Sequence, residues 1–274
     1  MKPTIIETIH LFPLLNEKGI SLLRGLPAES WHRQTVAGKW VVKDVASHLL
    51  DGNFRRIALH RDNWMESVGR MESYEELVGY LNGLNADWVK ATKRLSPQLI
   101  IDLLEQTNQE VYALFKKLDP MAPSVFPVSW AGENESSNWM DIAREYTERW
   151  LHQQQIRHAI GDNSLLKREF YHPLLTVFLQ AWPFTCRDLD AGEGTLLKTT
   201  ITGEGGEWYL VREKGTWKLT DASGPVHAET IISGDIAWIL FSKSKRKEEL
   251  RSSISVNGNP LLGEKVLDMV SVMA

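Results

Sequence analysis

Cysteine is nearly missing from this chain: Cys186 is the only one in 274 residues. A lone thiol excludes an intrachain disulfide and any zinc site built from cysteines. It sits in the apolar stretch LLTVFLQAWPFTCRDL, where a packed small side chain is a simpler reading than a nucleophile. Basic excess is missing too. The formal charge is −4, which argues against nucleic acid as a partner, because neutralising phosphates takes a basic surface. The short run Lys243-Ser-Lys-Arg-Lys247 reads as a solvated helix end or loop, not a phosphate patch. No stretch approaches the roughly 18 apolar residues needed to cross a bilayer. The opening MKPTIIETIHLFPLL carries one early lysine and is broken by His10 and Pro13, unlike a secretory signal. These absences together point to a cytoplasmic protein with neither membrane nor nucleic acid among its partners.

What is present is the balance of a globular protein, 43% apolar and 24% charged. Eleven tryptophans are many for this length, and such large rings need large packing surfaces in a core or cleft. The chain has room for one large domain or two ordinary ones, and its two halves differ in pattern. Up to Gly161, long stretches carry helical spacing. Helices are predicted over 4–24, 41–61, 73–94, 97–118 and 137–160. Ser96 before Pro97 is a good N-cap followed by a proline at the first helical position. Segment 119–136 contains Pro120, Pro123 and Pro127 and reads as a loop.

Beyond Gly161 the periodicity shortens. Residues 168–189 predict one more helix, nicked at Pro183. Strands follow at Leu196–Thr202, Glu207–Glu213 and Thr216–Thr220, with Gly205-Gly206 and Lys214-Gly215 as turns between them. A capped helix is expected from Ser233 to Phe241, a strand over Ser253–Val256 and a closing helix over Pro260–Met273. The expected architecture is therefore an all-α N-terminal domain, residues 1–164, and a small α+β domain with an antiparallel sheet, residues 165–274.

The chemistry-bearing pattern lies in DIAREYTERWLHQQQIRHAI. Glu148 and His152 are four apart and share a helix face. A carboxylate and an imidazole on successive turns can reach one cation, zinc above all, but also iron, nickel or manganese. The same face holds Asp141, Arg144, Glu145 and Gln155, while Ile142, Tyr146, Trp150 and Ile160 lie away from it. Periodicity alone would turn this stripe to water; a polar cleft inside a bundle fits equally well. In WVVKDVASHLLDGNFRR, His48 shares a face with Val41, Asp44, Val45, Gly52 and Arg55. A glycine inside a helix costs about 1 kcal/mol relative to alanine, which is understandable if space is wanted beside the histidine. A core histidine with a hydrogen-bond partner is the plainer alternative.

A resemblance adds to this reading. The stretch Trp31-His-Arg-Gln-Thr35, then Gly38-Lys-Trp40-Val-Val-Lys43-Asp44-Val45-Ala-Ser-His48-Leu49, resembles the opening signature of the mycothiol-dependent maleylpyruvate isomerase family, within the DinB-like metalloenzyme superfamily. Glu148, His152, Ile156, Ala159 and Gly161 are similar to the second half of the pattern. The resemblance covers roughly residues 1–165. It implies a DinB-like four-helix bundle with His48, Glu148 and His152 as ligands of a divalent metal ion. It also implies a low-molecular-weight thiol as cosubstrate and a small electrophilic molecule as substrate. The C-terminal half is similar in outline to the sterol-carrier-like domain that often follows this bundle. The carrying features are the Trp208 and Trp217 strands, Gly234-Asp235 and the Val256-Asn-Gly258 turn. Where family members often carry an aspartate, this chain has Gln155, which can accept a hydrogen bond without raising ligand basicity as a carboxylate does.

The function expected from the resemblance is a metal-dependent thiol transferase or isomerase. Two histidines and one glutamate leave a coordination position open, as in catalytic zinc sites, and coordination lowers the pKa of a thiol. Arg55 and Arg56 are candidates for substrate anion binding, and Asp51 and Tyr146 for supporting groups; for each, an ordinary helix residue is the plainer reading. The alternative is a non-catalytic metal- or ligand-binding module. A homodimer is expected from resemblance alone.

Overall fold

The computed structural model describes residues 5–66, 73–222 and 224–272. The outer ends of two expected helices, Thr4 and Met273, lie outside them. The chain forms two compact units. One comprises Glu7–Ala122 and Glu148–Asn163, the other chiefly Pro123–Thr147 and Ser164–Ala274. The sequence reading ran its first domain to residue 164, whereas Pro123–Thr147 packs with the C-terminal part. One tie is visible in that second unit: the Tyr146 hydroxyl donates to the Phe170 carbonyl at 2.7 Å.

The first unit is helical. Its helices are α1 (Phe12–Gly25), α2 (Val42–His60), α3 (Tyr74–Thr92), α4 (Pro97–Phe115) and the C-terminal part of α5 (Asn138–Ile160). Pro13 takes an early position in α1, where its missing N–H costs nothing. Ser96 caps α4 by accepting from the Leu99 N–H, with Pro97 next, as its sequence predicts. Ile20 and Leu23, Trp31, Val42, Val45, Ala46 and Leu50, Ile100, Ile101 and Leu104, and Ile156 close one apolar core among α1, α2, α4 and α5. Burying a side chain of this kind contributes about 1.5–3 kcal/mol, so the core holds the bundle. α3 is tied to α2 by polar contacts as well: the Trp88 indole donates to the Ser47 carbonyl at 2.8 Å, and the Ser47 and Thr92 hydroxyls bond at 2.5 Å.

The second unit carries α6 (Arg168–Phe178), α7 (Trp182–Thr185), α8 (Ala237–Phe241) and α9 (Pro260–Gly263) around a five-stranded sheet. The strands β1 (Leu196–Ile201), β2 (Gly206–Glu213), β3 (Thr216–Thr220), β4 (Ala228–Ile232) and β5 (Ile254–Gly258) lie in the order β3-β2-β1-β4-β5. Pairings are antiparallel except β1 with β4, which run parallel. The β2–β3 turn takes positive φ at both Lys214 and Gly215, the geometry a two-residue hairpin needs. β4 is not among the expected strands; it is held by parallel pairing with β1, a long-range contact with little local signature. The closing helix expected to Met273 stops at Gly263, followed by a 3-10 turn over Glu264–Asp268. Ser271 there bonds backwards, its N–H to the Phe241 carbonyl at 3.1 Å and its hydroxyl to the Phe178 carbonyl at 3.0 Å, which draws the tail out of a helix. No described helix is long and apolar enough to cross a membrane.

Candidate metal centre

The loop before α2 is folded by its own polar groups. Gly38 adopts φ +58°, a left-handed conformation that suits glycine. The Thr35 hydroxyl donates to the Trp40 carbonyl at 2.7 Å, and the Gln34 amide reaches the Gly38 carbonyl at 2.9 Å. Asp44 then accepts the Val41 N–H at 3.3 Å and pairs with Lys93 at 2.6 Å, which secures the first turn of α2. One turn on, His48 emerges with the Trp40 ring 5.0 Å away, centroid to centroid. The spacing of the Gly-x-Trp and His elements thus has a local cause: the turn folds the tryptophan back over the histidine.

α5 brings the other two groups. His48, Glu148 and His152 converge, with one donor atom from each within 4.8 Å of the others. The two imidazoles meet edge to face at 4.6 Å, and His152 Nε2 lies 3.3 Å from Glu148 Oε2. His152 is buried and Glu148 half-buried. Most of the polar stripe of α5 is therefore inside the fold, not in water: Asp141, Glu145, His152 and Gln155 are buried, while Arg144 and Glu148 are half-buried. On the far side of the His152 ring, Nδ1 is 2.8 Å from Gln155 Oε1.

Burial in this pocket favours the neutral form of His48. Burial pushes His48 down to about 3, with His152 and Arg55 acting the same way and Glu148 opposing them. Its Nδ1 is buried and has no hydrogen-bond partner among the described residues. A neutral imidazole with an unengaged nitrogen, a second imidazole and a carboxylate form a donor set that fits a borderline divalent cation. His48, Glu148 and His152 are thus in one place.

The remaining candidates are distributed more widely. Arg55 pairs with Asp51 at 3.1 Å and is near enough to act on His48. Burial raises the Asp51 carboxyl above its ordinary value, with Arg55 partly offsetting this. Arg56 is buried against the Phe115 ring, 5.6 Å from its centroid. Tyr146 belongs to the other unit, buried on the Phe170 carbonyl, and burial raises its hydroxyl pKa. Gly52 meets nothing within 4 Å of the position a Cβ would take.

Two features were missed from sequence. The motif that contains Trp40 does not by itself make it a neighbour of His48, which the fold does. Arg149 was overlooked altogether, although Asn16 of α1, Asn53 of α2 and Asn108 of α4 all gather on its guanidinium. Asparagines on otherwise apolar helix faces were the available signal.

A helical unit with a converged His/Glu/His set, followed by an α+β unit with a five-stranded sheet, defines a class of architecture. Residues 14–157, more than half of the chain, match the family model described as the mycothiol maleylpyruvate isomerase N-terminal domain. The chain belongs to that family. Its fold is similar to the crystal structure of the mycothiol-dependent maleylpyruvate isomerase, at 10% identity, TM-score 0.54, covering 93% of this chain and 96% of that one. A mutant of that isomerase gives the same TM-score and coverage at 11% identity. No curated protein matches by sequence.

Proposed function

We propose that this chain holds one divalent metal ion, zinc first among candidates, on His48, Glu148 and His152, and acts with a low-molecular-weight thiol on a small electrophilic molecule, by transfer or isomerisation. The observation that carries the reading is the convergence of the three donors from α2 and α5 within 4.8 Å. Membership of a family named for a mycothiol-dependent isomerase supports the thiol and the reaction class.

When bound, the ion would supply an open coordination position and hold a thiol as its thiolate at neutral pH. The chain's own residues do the rest. His48 is neutral throughout the physiological range, so its ring offers a lone pair, not a competing proton. Glu148 brings one negative charge, which leaves a divalent site cationic overall. Arg55, half-exposed and near His48, is placed to attract an anionic substrate group, with Asp51 orienting it. Cys186 takes no part, because it is fully buried and burial pushes its thiol up to about 12. The thiol must come from solution.

The test is elemental analysis of untagged protein beside His48→Ala, Glu148→Ala and His152→Ala, followed by a thiol-conjugation assay with a model electrophile. Near one equivalent of metal, lost in each variant, with a rate above the His48→Ala control, is the expected result. Metal content indifferent to all three substitutions would end the metal reading. Stoichiometric metal with no thiol-dependent rate would leave a binding module instead of an enzyme.

A further inference from the structure

We propose that Gln155 is a positioning residue for this centre: its side-chain carbonyl holds His152 as the Nδ1–H tautomer and aims the Nε2 lone pair at the space shared with Glu148 and His48. The inference rests on the reading of the three residues as a cation site, and it concerns a side chain that would touch neither cation nor substrate.

The geometry is one-sided. Gln155 follows His152 by three positions on α5, so both lie on one helix face. Gln155 is 4% exposed, and its Oε1 is 2.8 Å from His152 Nδ1. A carbonyl oxygen can only accept, so the shared proton sits on Nδ1. A neutral imidazole has one N–H, and Nε2 is then an acceptor. The other contact of the ring agrees. His152 Nε2 stands 3.3 Å from Glu148 Oε2, whereas an N–H donating to a carboxylate settles at about 2.7–2.9 Å. Two acceptors that face a common point without bonding each other give the longer separation.

The reversed amide makes the opposite prediction. With the Gln155 amide nitrogen toward the ring, Nδ1 would be the acceptor and Nε2–H would donate to Glu148. That proton would then stand where a cation has to be. Orientation of a buried amide thus decides whether the donor set is ready for metal or blocked by its own hydrogen bond.

Two measurements test this. In metal-free protein, nitrogen-15 NMR of the His152 ring reports the tautomer directly; protonated Nδ1 and unprotonated Nε2 are expected, and the reverse overturns the proposal. This readout stands whether or not zinc binds. In competition titrations against a chromophoric chelator, Gln155→Leu, of similar size without an acceptor, should lower zinc affinity about 10–100-fold. Gln155→Glu should match or exceed wild type, because a carboxylate is a stronger acceptor. Wild-type affinity in Gln155→Leu, with binding lost in His152→Ala, would refute the positioning role and leave the site intact. Absence of zinc binding in wild type would instead refute the site itself.

Discussion

The rings of His48 and His152 meet edge to face, 4.6 Å between centroids, although one belongs to α2 and the other to α5. Helix packing alone gives no reason to gather two imidazoles and the Glu148 carboxylate in a buried cleft, since each polar group loses hydration there. A bound cation would offset that loss in the folded state only. Binding to the native state stabilises it by RT ln(1 + [L]/Kd), about 2.7 kcal/mol at one hundred times Kd. Zinc should therefore raise the melting temperature of metal-stripped protein by several degrees. The same addition should leave His152→Ala unmoved. An equal shift in both proteins would place the zinc effect elsewhere.

Arg149 directly follows Glu148 and sits in the core, where Asn108 Oδ1 accepts at 2.7 Å and Asn16 Oδ1 at 3.3 Å, with Asn53 on its other terminal nitrogen. Asn53 in turn donates to Thr107 and Asn108, so the network links α1, α2, α4 and α5. Arg149→Met removes the donor to the buried Asn53 Oδ1, at a cost of about 1–3 kcal/mol. A loss of this size is expected in urea denaturation. Unchanged stability would mean that the asparagines re-pair among themselves.

α2 and α4 are legible in the sequence because their signals are local: Ser96-Pro97 opens α4, and the Gly38 turn precedes α2. The helices expected from Thr4 and from Ser233 start later, at Phe12 and Ala237, and that expected over 168–189 is split into α6 and α7. The three donors were also legible, through spacing and through a motif split between distant segments. Their orientation was not. The wheel of α5 put Glu148 and His152 among charged residues, and periodicity equates polar with exposed. In the fold most of the stripe is inside, with His152 held by Gln155 from the next turn, and the neighbouring Arg149 is satisfied by three asparagines from other helices. Tertiary partners of this kind leave no periodic trace. β4 escaped for a related reason, since its pairing with β1 is a long-range event with little local signature.

Cys186 supplies a negative control for any thiol chemistry. It is fully buried, and burial raises its pKa to about 12. Thiolate is then a negligible fraction at pH 8, and reagents cannot reach the sulfur. A disulfide reagent should find no reactive thiol in native protein and one equivalent in denaturant. Rapid native labelling would overturn this and reopen the thiol as a participant.

Acid stability should carry a contribution from Glu193. Its carboxylate accepts the Gly215 N–H at 2.7 Å and the Lys214 N–H at 2.8 Å, bracing the β2–β3 turn, and these bonds lower its pKa below the ordinary 4.5. A depressed folded value means that the unfolded chain binds the proton first. The stabilisation is then fully present above about 4.5 and is lost as pH falls through the folded value. Glu193→Gln should remove that part of the pH dependence below 4.5. Parallel stability curves for variant and wild type would show that the turn does not need the charge.

Gly52 bears on the space beside the centre. It lies within α2, one turn beyond His48, and an added Cβ would meet no atom within 4 Å. Packing therefore does not require glycine, and its φ is not in the left-handed range. Alanine should stabilise the helix by about 0.5–1 kcal/mol, through propensity and a less flexible unfolded chain. If that open space receives substrate, the same methyl should raise KM in the thiol assay while zinc affinity stays unchanged. A gain in stability with unaltered kinetics would assign the glycine no part in substrate access and leave its backbone cost without a functional return.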